Sequence, residues 1–411
     1  MSRNDVLPDP TNVVSSADIV RQPIFDLDVK VVGYQLIVEG AAGSGPEGDA
    51  AVAGTLAQIG LNLVAGGAAW VPLSRSFLFG GHADAMPADR VVFEVAPELA
   101  DDAQTLAAVG RLKAAGHGIA VSPFVADEAS VPLLAMATAV KLDATLDRAT
   151  LVERVAVARR AGVKVVAVGV DSHEAFEAMA SLGFDLFQGH FLEQPRTVDG
   201  RPIEVNTLNR LRLVAELQDP EVDMQSLGEV VSRDVGLSYT LLRFVNSAFF
   251  AVPRRIASIR AALVLLGLEH VRRWSTLMVL MQSNGKPHEL IVTGLVRARM
   301  CEMVAIAQGD RSESEEYFTT GLFSVVDALL DVSLVEVLRQ LPFSQEIMGA
   351  LLSYEGPKGQ LLQAVLSYER GDFAPLIGLM PAGTPPADFY AEAVEWATDA
   401  SGGLVAVPDL S

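Results

Sequence analysis

Between Ile19 and Phe191 short runs of β-branched and aliphatic residues recur, separated by turns or by longer alanine-rich stretches. The runs are Ile19–Leu27, Val31–Val38, Ala69–Leu73, Val91–Val95, Gly118–Ser122, Ala139–Leu142, Lys164–Val170 and Asp185–Gln188. Strands alternating with helical stretches mean an α/β fold, and eight such runs suit a closed (β/α)8 barrel. Runs such as Val165–Val168 are apolar without alternation, as strands covered on one face by helices and packed on the other require. Helices are expected near 50–65, 98–115, 127–137, 147–161 and 173–182. The stretch Gly40–Asp49, GAAGSGPEGD, is rich in glycine and poor in anchoring side chains, and reads as a flexible loop.

The strand rhythm stops at Glu193, where the polar, proline-bearing segment EQPRTVDGRPIEVNT marks a linker. From Leu208 onward the period is helical. Ser226 and Glu229 form a capping box ahead of Leu227, Val230, Val231 and Val235, which share one helical face. Ser258 is a cap for Ile259, Ala262, Leu263 and Leu266, and Gly267 is a stop. Further helices are expected near 288–307, 316–330, 333–340, 344–352 and 359–370, with a last one ending near Ala397 after a proline-rich loop. With 411 residues, half of them hydrophobic, the chain can fill two cores. The expected organisation is α/β plus all-α: a disordered tail over 1–18, a shortened barrel over 19–192, a linker over 193–207, a helical domain over 208–400 and a tail over 401–411.

A formal charge of −20 with no cluster of Lys and Arg argues against nucleic acid as a partner. Arg254, Arg255, Arg272 and Arg273 lie among apolar residues at helical spacing and read as a solvated helix rim. No window approaches the ~18 uninterrupted apolar residues of a membrane helix, and the opening residues lack a secretory pattern, so a soluble cytoplasmic protein without membrane insertion is expected. The single cysteine, Cys301, permits no internal disulfide and is expected as a buried helix residue. Phosphate-loop and nucleophile-elbow motifs are missing, and His82, His117, His173, His190, His270 and His288 stand singly.

Two stretches resemble known families. The opening IVRQPIFDLDVKVVGYQLIVEG resembles the start of EAL domains, the cyclic di-GMP phosphodiesterases, whose first strands read like YQPIVDL and GYEALVR. The stretch SLGEVVSRDVGLSYTLLRFVNSAFFAVPRRIASIRAALVLLGLEHVRRW is similar to HDOD domains over its whole length. The order of the two modules is that of EAL-HDOD signalling proteins. The EAL resemblance implies a site of two divalent metals held by carboxylates and an amide at the C-terminal ends of barrel strands. Matched position by position, the signature glutamate falls on Gln35, the asparagine of the next ligand strand on Pro72, the paired aspartates on Ser122 and Pro123, and a later glutamate on Val168. Glu94, Lys141, Gln188 and Gly189 match what the family carries, while an arginine of the first motif falls on Glu39. Hard cations require charged oxygen donors, so these replacements predict no metal and no cofactor. Glu94, Lys141 and Asp143 are expected as a structural ion-pair set, and Asp171 or Ser172 as a cap before His173. The HDOD resemblance places Ser324 and Val325 where related hydrolases carry a His-Asp dyad.

The sequence thus predicts a non-catalytic signalling protein with a degenerate EAL domain, working through protein–protein contacts, with signalling proteins as partners and self-association among its contacts. The alternatives are a cyclic di-GMP receptor without hydrolysis and, after it, a residual phosphodiesterase.

Overall fold

The computed structural model describes residues 17–39, 52–64, 67–100, 102–127, 130–196, 205–247, 249–250, 252, 255–281 and 286–405. The expected Gly40–Asp49 loop, and all but the last two residues of the expected 1–18 tail, lie outside the described residues. The chain divides into two compact units, one of 1–194 with 367–391 and one of 195–366 with 392–411. The expected boundary near 193 is therefore met by a second one within the stretch assigned to the helical domain, because residues 367–391 pack with the strands.

The first unit is a closed eight-stranded barrel in sequential order: β1 (Asp18–Phe25), β2 (Val31–Glu39), β3 (Ala68–Pro72), β4 (Val91–Val95), β5 (Gly118–Val121), β6 (Ala139–Asp143), β7 (Lys164–Val168) and β8 (Leu186–Gln188). All eight expected runs are strands. Helices α1 (Arg75–Phe79), α2 (Ala103–Ala114), α3 (Ser130–Leu134), α4 (Arg148–Arg160) and α5 (His173–Leu182) follow β3 to β7. Caps come from the sequence: Asp102, Asp147 and Ser172 accept the third following amide at the starts of α2, α4 and α5. Ser172 and not Asp171 is thus the cap before His173.

β1 runs antiparallel to both its neighbours, whereas β2 to β8 pair in parallel. The reason is local. Asp26 accepts the amides of Asp28 and Lys30 and makes a tight turn, and only antiparallel strands can be joined so briefly. β1 meets β8 only at Ile24 and Phe25, which leaves the rest of that edge without a strand. Exposed strand edges need a cover. Two buried tyrosines supply it: the Tyr368 hydroxyl donates to the Ile19 carbonyl at 3.1 Å, and the Tyr390 hydroxyl accepts from the Arg21 amide at 3.4 Å. Phe373 stacks edge-on against Tyr368. These residues belong to the segment that joins the barrel unit, so the edge contact explains that grouping.

The second unit is helical: α6 (Val205–Gln218), α7 (Met224–Arg233), α8 (Val235–Val245), α9 (Ile259–Leu266), α10 (Leu268–Met281), α11 (His288–Gln308), α12 (Ser314–Phe323), α13 (Val326–Leu330), α14 (Leu334–Leu338), α15 (Gln345–Ser353) and most of α16 (Gly356–Glu369). α17 (Ala374–Ile377) belongs to the barrel unit, and the last helix, α18 (Pro386–Val405), contributes its residues from Glu392 on to the helical one. α7 starts one turn before the expected capping box, since Asp223 accepts the Ser226 amide. Ser258 and Gly267 bound α9 as expected. α11 and α12 cross at Gly321, where a Cβ would stand 2.6 Å from the Ala298 backbone. Cys301 is buried in α11. Arg273 departs from the expected solvated rim: it is buried, lies 3.6 Å over the Phe318 ring and pairs with Glu302 and Glu315. Among the described residues no helix is long and apolar enough to cross a membrane.

Candidate functional site

Side chains alternate across each strand, so positions two apart enter the barrel interior in layers, each filled from alternate strands. Ile24, Trp70, Ala120 and Val166 form one such apolar layer from the odd strands, with Ala139 and Leu186 packed beneath it. One step toward the C-terminal ends, the even strands present Gln35, Glu94, Lys141 and Gln188. The registers agree, since Gln35 lies opposite Trp70, Glu94 opposite Ala120, and Lys141 opposite Val166. The next layer out comes from the odd strands again: Gln22, Pro72, Ser122 and Val168. The sequence-predicted site positions are therefore brought together as the floor and the rim of one mouth, at the barrel end where this architecture builds its sites.

The floor is one connected polar network. Lys141 Nζ donates to Gln35 Oε1 at 2.6 Å and to Gln188 Oε1 at 2.8 Å, and forms a salt bridge with Glu94. Gln35 Nε2 donates to Glu94 Oε2 at 3.1 Å, and Gln188 Nε2 donates to Gln35 Oε1 and to Gln22 Oε1. The Lys141 and Glu94 side chains are 3% and 6% exposed, which leaves their charges to each other and to amides. Burial lowers the Lys141 pKa below the ordinary lysine value, against the attraction of Glu94. The Trp70 ring closes the inner side, 5.2 Å from Nζ. Gly189 is held by backbone geometry: at φ +156°, an added Cβ would lie 2.1 Å from the Val170 carbonyl oxygen.

Several expectations need correction. Asp143 does not join the ion pair, because its Oδ1 accepts the amide and hydroxyl of Thr145. Asp171 instead accepts the His190 amide at 3.0 Å and faces that ring. Gln35, matched to a lost ligand position, bonds to Glu94, Lys141 and Gln188, and Gln22 was missed. Its signal was the Asp26–Lys30 turn, which sets Gln22 opposite Gln35.

The pair of divalent cations implied by the EAL resemblance does not fit these residues. Glu94 is the floor's single carboxylate and is already paired, and the layer above holds an amide, a proline, a serine and a valine. A divalent ion about 4 Å from the Lys141 ammonium would meet a repulsion of about 8 kcal/mol at an effective dielectric of ~20. Among the described residues, three carboxylates close enough to share a cation occur at Glu313, Glu316 and Glu346, in the helical unit, where Lys358 sits among them. The helical unit also carries a groove of about 560 Å³ between α7 and α9, lined by Met224, Gly228, Leu263 and Val264 with Glu229 and Arg260. Gln225 and Ser232 also line it.

Comparison with known proteins agrees with this architecture. The HDOD domain model matches residues 207–341 and the EAL domain model residues 82–195. Cyclic di-GMP phosphodiesterase CdgJ of Vibrio cholerae is 31% identical over 368 residues, covering 86% of this chain and 85% of CdgJ. The chain belongs to the EAL-HDOD family. The uncharacterized protein YuxH of Bacillus subtilis is 26% identical, across 92% of this EAL-HDOD chain and 97% of its own. The solved PaMucR phosphodiesterase in complex with c-di-GMP is 21% identical, with a TM-score of 0.36, covering 47% of this chain and 99% of that one. The likeness to CdgJ overturns the expectation of a non-catalytic protein: a relative of the same two-domain make-up is named a phosphodiesterase, so the replaced positions are no ground for denying the EAL-HDOD chain an activity.

Proposed function

We propose that this protein is a cyclic di-GMP phosphodiesterase whose barrel mouth takes the dinucleotide. The observation that carries the reading is the 31% identity to CdgJ, sustained over 86% of this chain and thus over both modules. The mouth supports it. A polar floor of Gln35, Glu94, Lys141 and Gln188 lies at the C-terminal ends of the even strands, beneath a rim of Gln22, Ser122 and Val168 that is partly open to solvent. An acid, an ammonium and three amides converging there give a cyclic dinucleotide polar groups on which to orient. The two metals of the resembled chemistry have no matching donor set in this mouth, so no hydrolytic step is assigned to them.

Incubation of the full chain with cyclic di-GMP, read by mass spectrometry, tests the reading. Linear dinucleotide is expected from the wild type and at least tenfold less from Gln188→Ala. Wild-type protein of intact fold that releases no linear product above a protein-free blank overturns it.

A further inference from the structure

We propose that Lys141 is the resident cation of the barrel mouth, so that this site engages its dinucleotide without a divalent metal. For its ligand the proposal rests on the phosphodiesterase reading, while its statement about metal stands on the network alone. Three oxygens, one each from β2, β8 and β4, surround the Lys141 ammonium: it donates to Gln35 Oε1 and Gln188 Oε1 and is ion-paired with a Glu94 carboxylate oxygen. These are the oxygen types a hard cation takes, and they converge on one point from three strands while the fourth even strand delivers the charge to that point. The remaining amide hydrogens lock the oxygens in place, through Gln35 Nε2 to Glu94 and Gln188 Nε2 to Gln22. The layer thus coordinates an ammonium as other barrels would coordinate an ion. Its formal charge is already balanced, with one anion and one cation, so a divalent ion gains nothing unless Lys141 leaves.

Two measurements on the full chain test this. The first is titration with Mn2+ followed by electron paramagnetic resonance. The expected result is a wild-type isotherm unchanged by Glu94→Gln; a stoichiometric Mn2+ signal abolished by that substitution overturns the proposal. Lys141→Met, with its fold checked by circular dichroism, is expected to tighten Mn2+ binding at least tenfold by releasing the oxygens, and the Glu94→Gln arm decides the matter alone should that variant not fold. The second is calorimetry with cyclic di-GMP. Affinities within twofold of each other in Mg2+ and in EDTA support metal-free engagement, and a tenfold loss in EDTA overturns it. Absence of heat in both buffers sinks the phosphodiesterase reading and leaves the Mn2+ titration to decide the cation.

Discussion

Lys141 in the barrel and Lys358 in the helical unit are almost equally withdrawn from solvent, at 3% and 5% exposure, and both are ion-paired. Their charges respond in opposite directions. Burial lowers the Lys141 pKa in spite of Glu94. Burial works against Lys358 too, but the hydrogen bonds it donates to Glu313, Glu346 and Glu316 outweigh burial and raise its pKa. The partners differ. Glu94 is 6% exposed, whereas Glu313, Glu316 and Glu346 are 56%, 46% and 76% exposed. Three solvated carboxylates stabilise one ammonium without losing their own hydration, while a single buried carboxylate shares the desolvation cost with the lysine it holds. Proximity of one opposite charge therefore does not by itself set the sign: Lys141 has a single carboxylate against its desolvation, whereas Lys358 has three.

The sharpest test of that contrast is removal of each cation. Lys141→Met strands Glu94 in the barrel and is expected to cost ~3–5 kcal/mol in urea unfolding, with most of it recovered when Glu94→Gln is added. Lys358→Met leaves carboxylates that water still reaches, and is expected to cost about 1 kcal/mol. Equal losses at the two sites would break the comparison.

The eight strands were legible because β-branched runs carry a local signal, and three of the positions matched by resemblance, Glu94, Lys141 and Gln188, lie within one network. What stayed hidden is long-range. Nothing local to Tyr368 and Tyr390 says that they cover the β1 edge, so residues 367–391 were assigned to the helices. The place of Gln35 in the network follows from which strands share a layer, which matching residues one at a time does not give. The inference of inactivity is overturned by a relative with both modules that is named a phosphodiesterase.

A half-buried acid extends the comparison. Burial raises Asp18 to about 6, with Tyr368 as its hydrogen-bonding neighbour and Glu39 adding repulsion. A raised carboxyl holds its proton longer when folded, so this group costs stability progressively as pH climbs from about 4 to about 6, and fully above that. Asp18→Asn should flatten stability over that window and add about 1 kcal/mol at pH 7, after discount for partial exposure. Alkaline titration separates the two lysines by sign. The penalty at Lys141 is relieved as pH rises toward the ordinary lysine value of 10.5, whereas the contribution of Lys358 is complete below 10.5 and fades as pH rises beyond it. Urea midpoints between about pH 8 and pH 11 for wild type and each Lys→Met variant measure both slopes. The smallest expected effect is ionic: raising salt from ~0.1 M to ~1 M should erode the Lys358 contribution by a few tenths of a kcal/mol and leave that of Lys141 unchanged.

Crystals grown with cyclic di-GMP and soaked in Mn2+ address the mouth itself. The account predicts dinucleotide density over Gln35, Lys141 and Gln188, with the Lys141 ammonium in place and no anomalous peak within bonding distance of Glu94. Two manganese peaks bridged at Glu94, with Lys141 swung out of the floor, would contradict it.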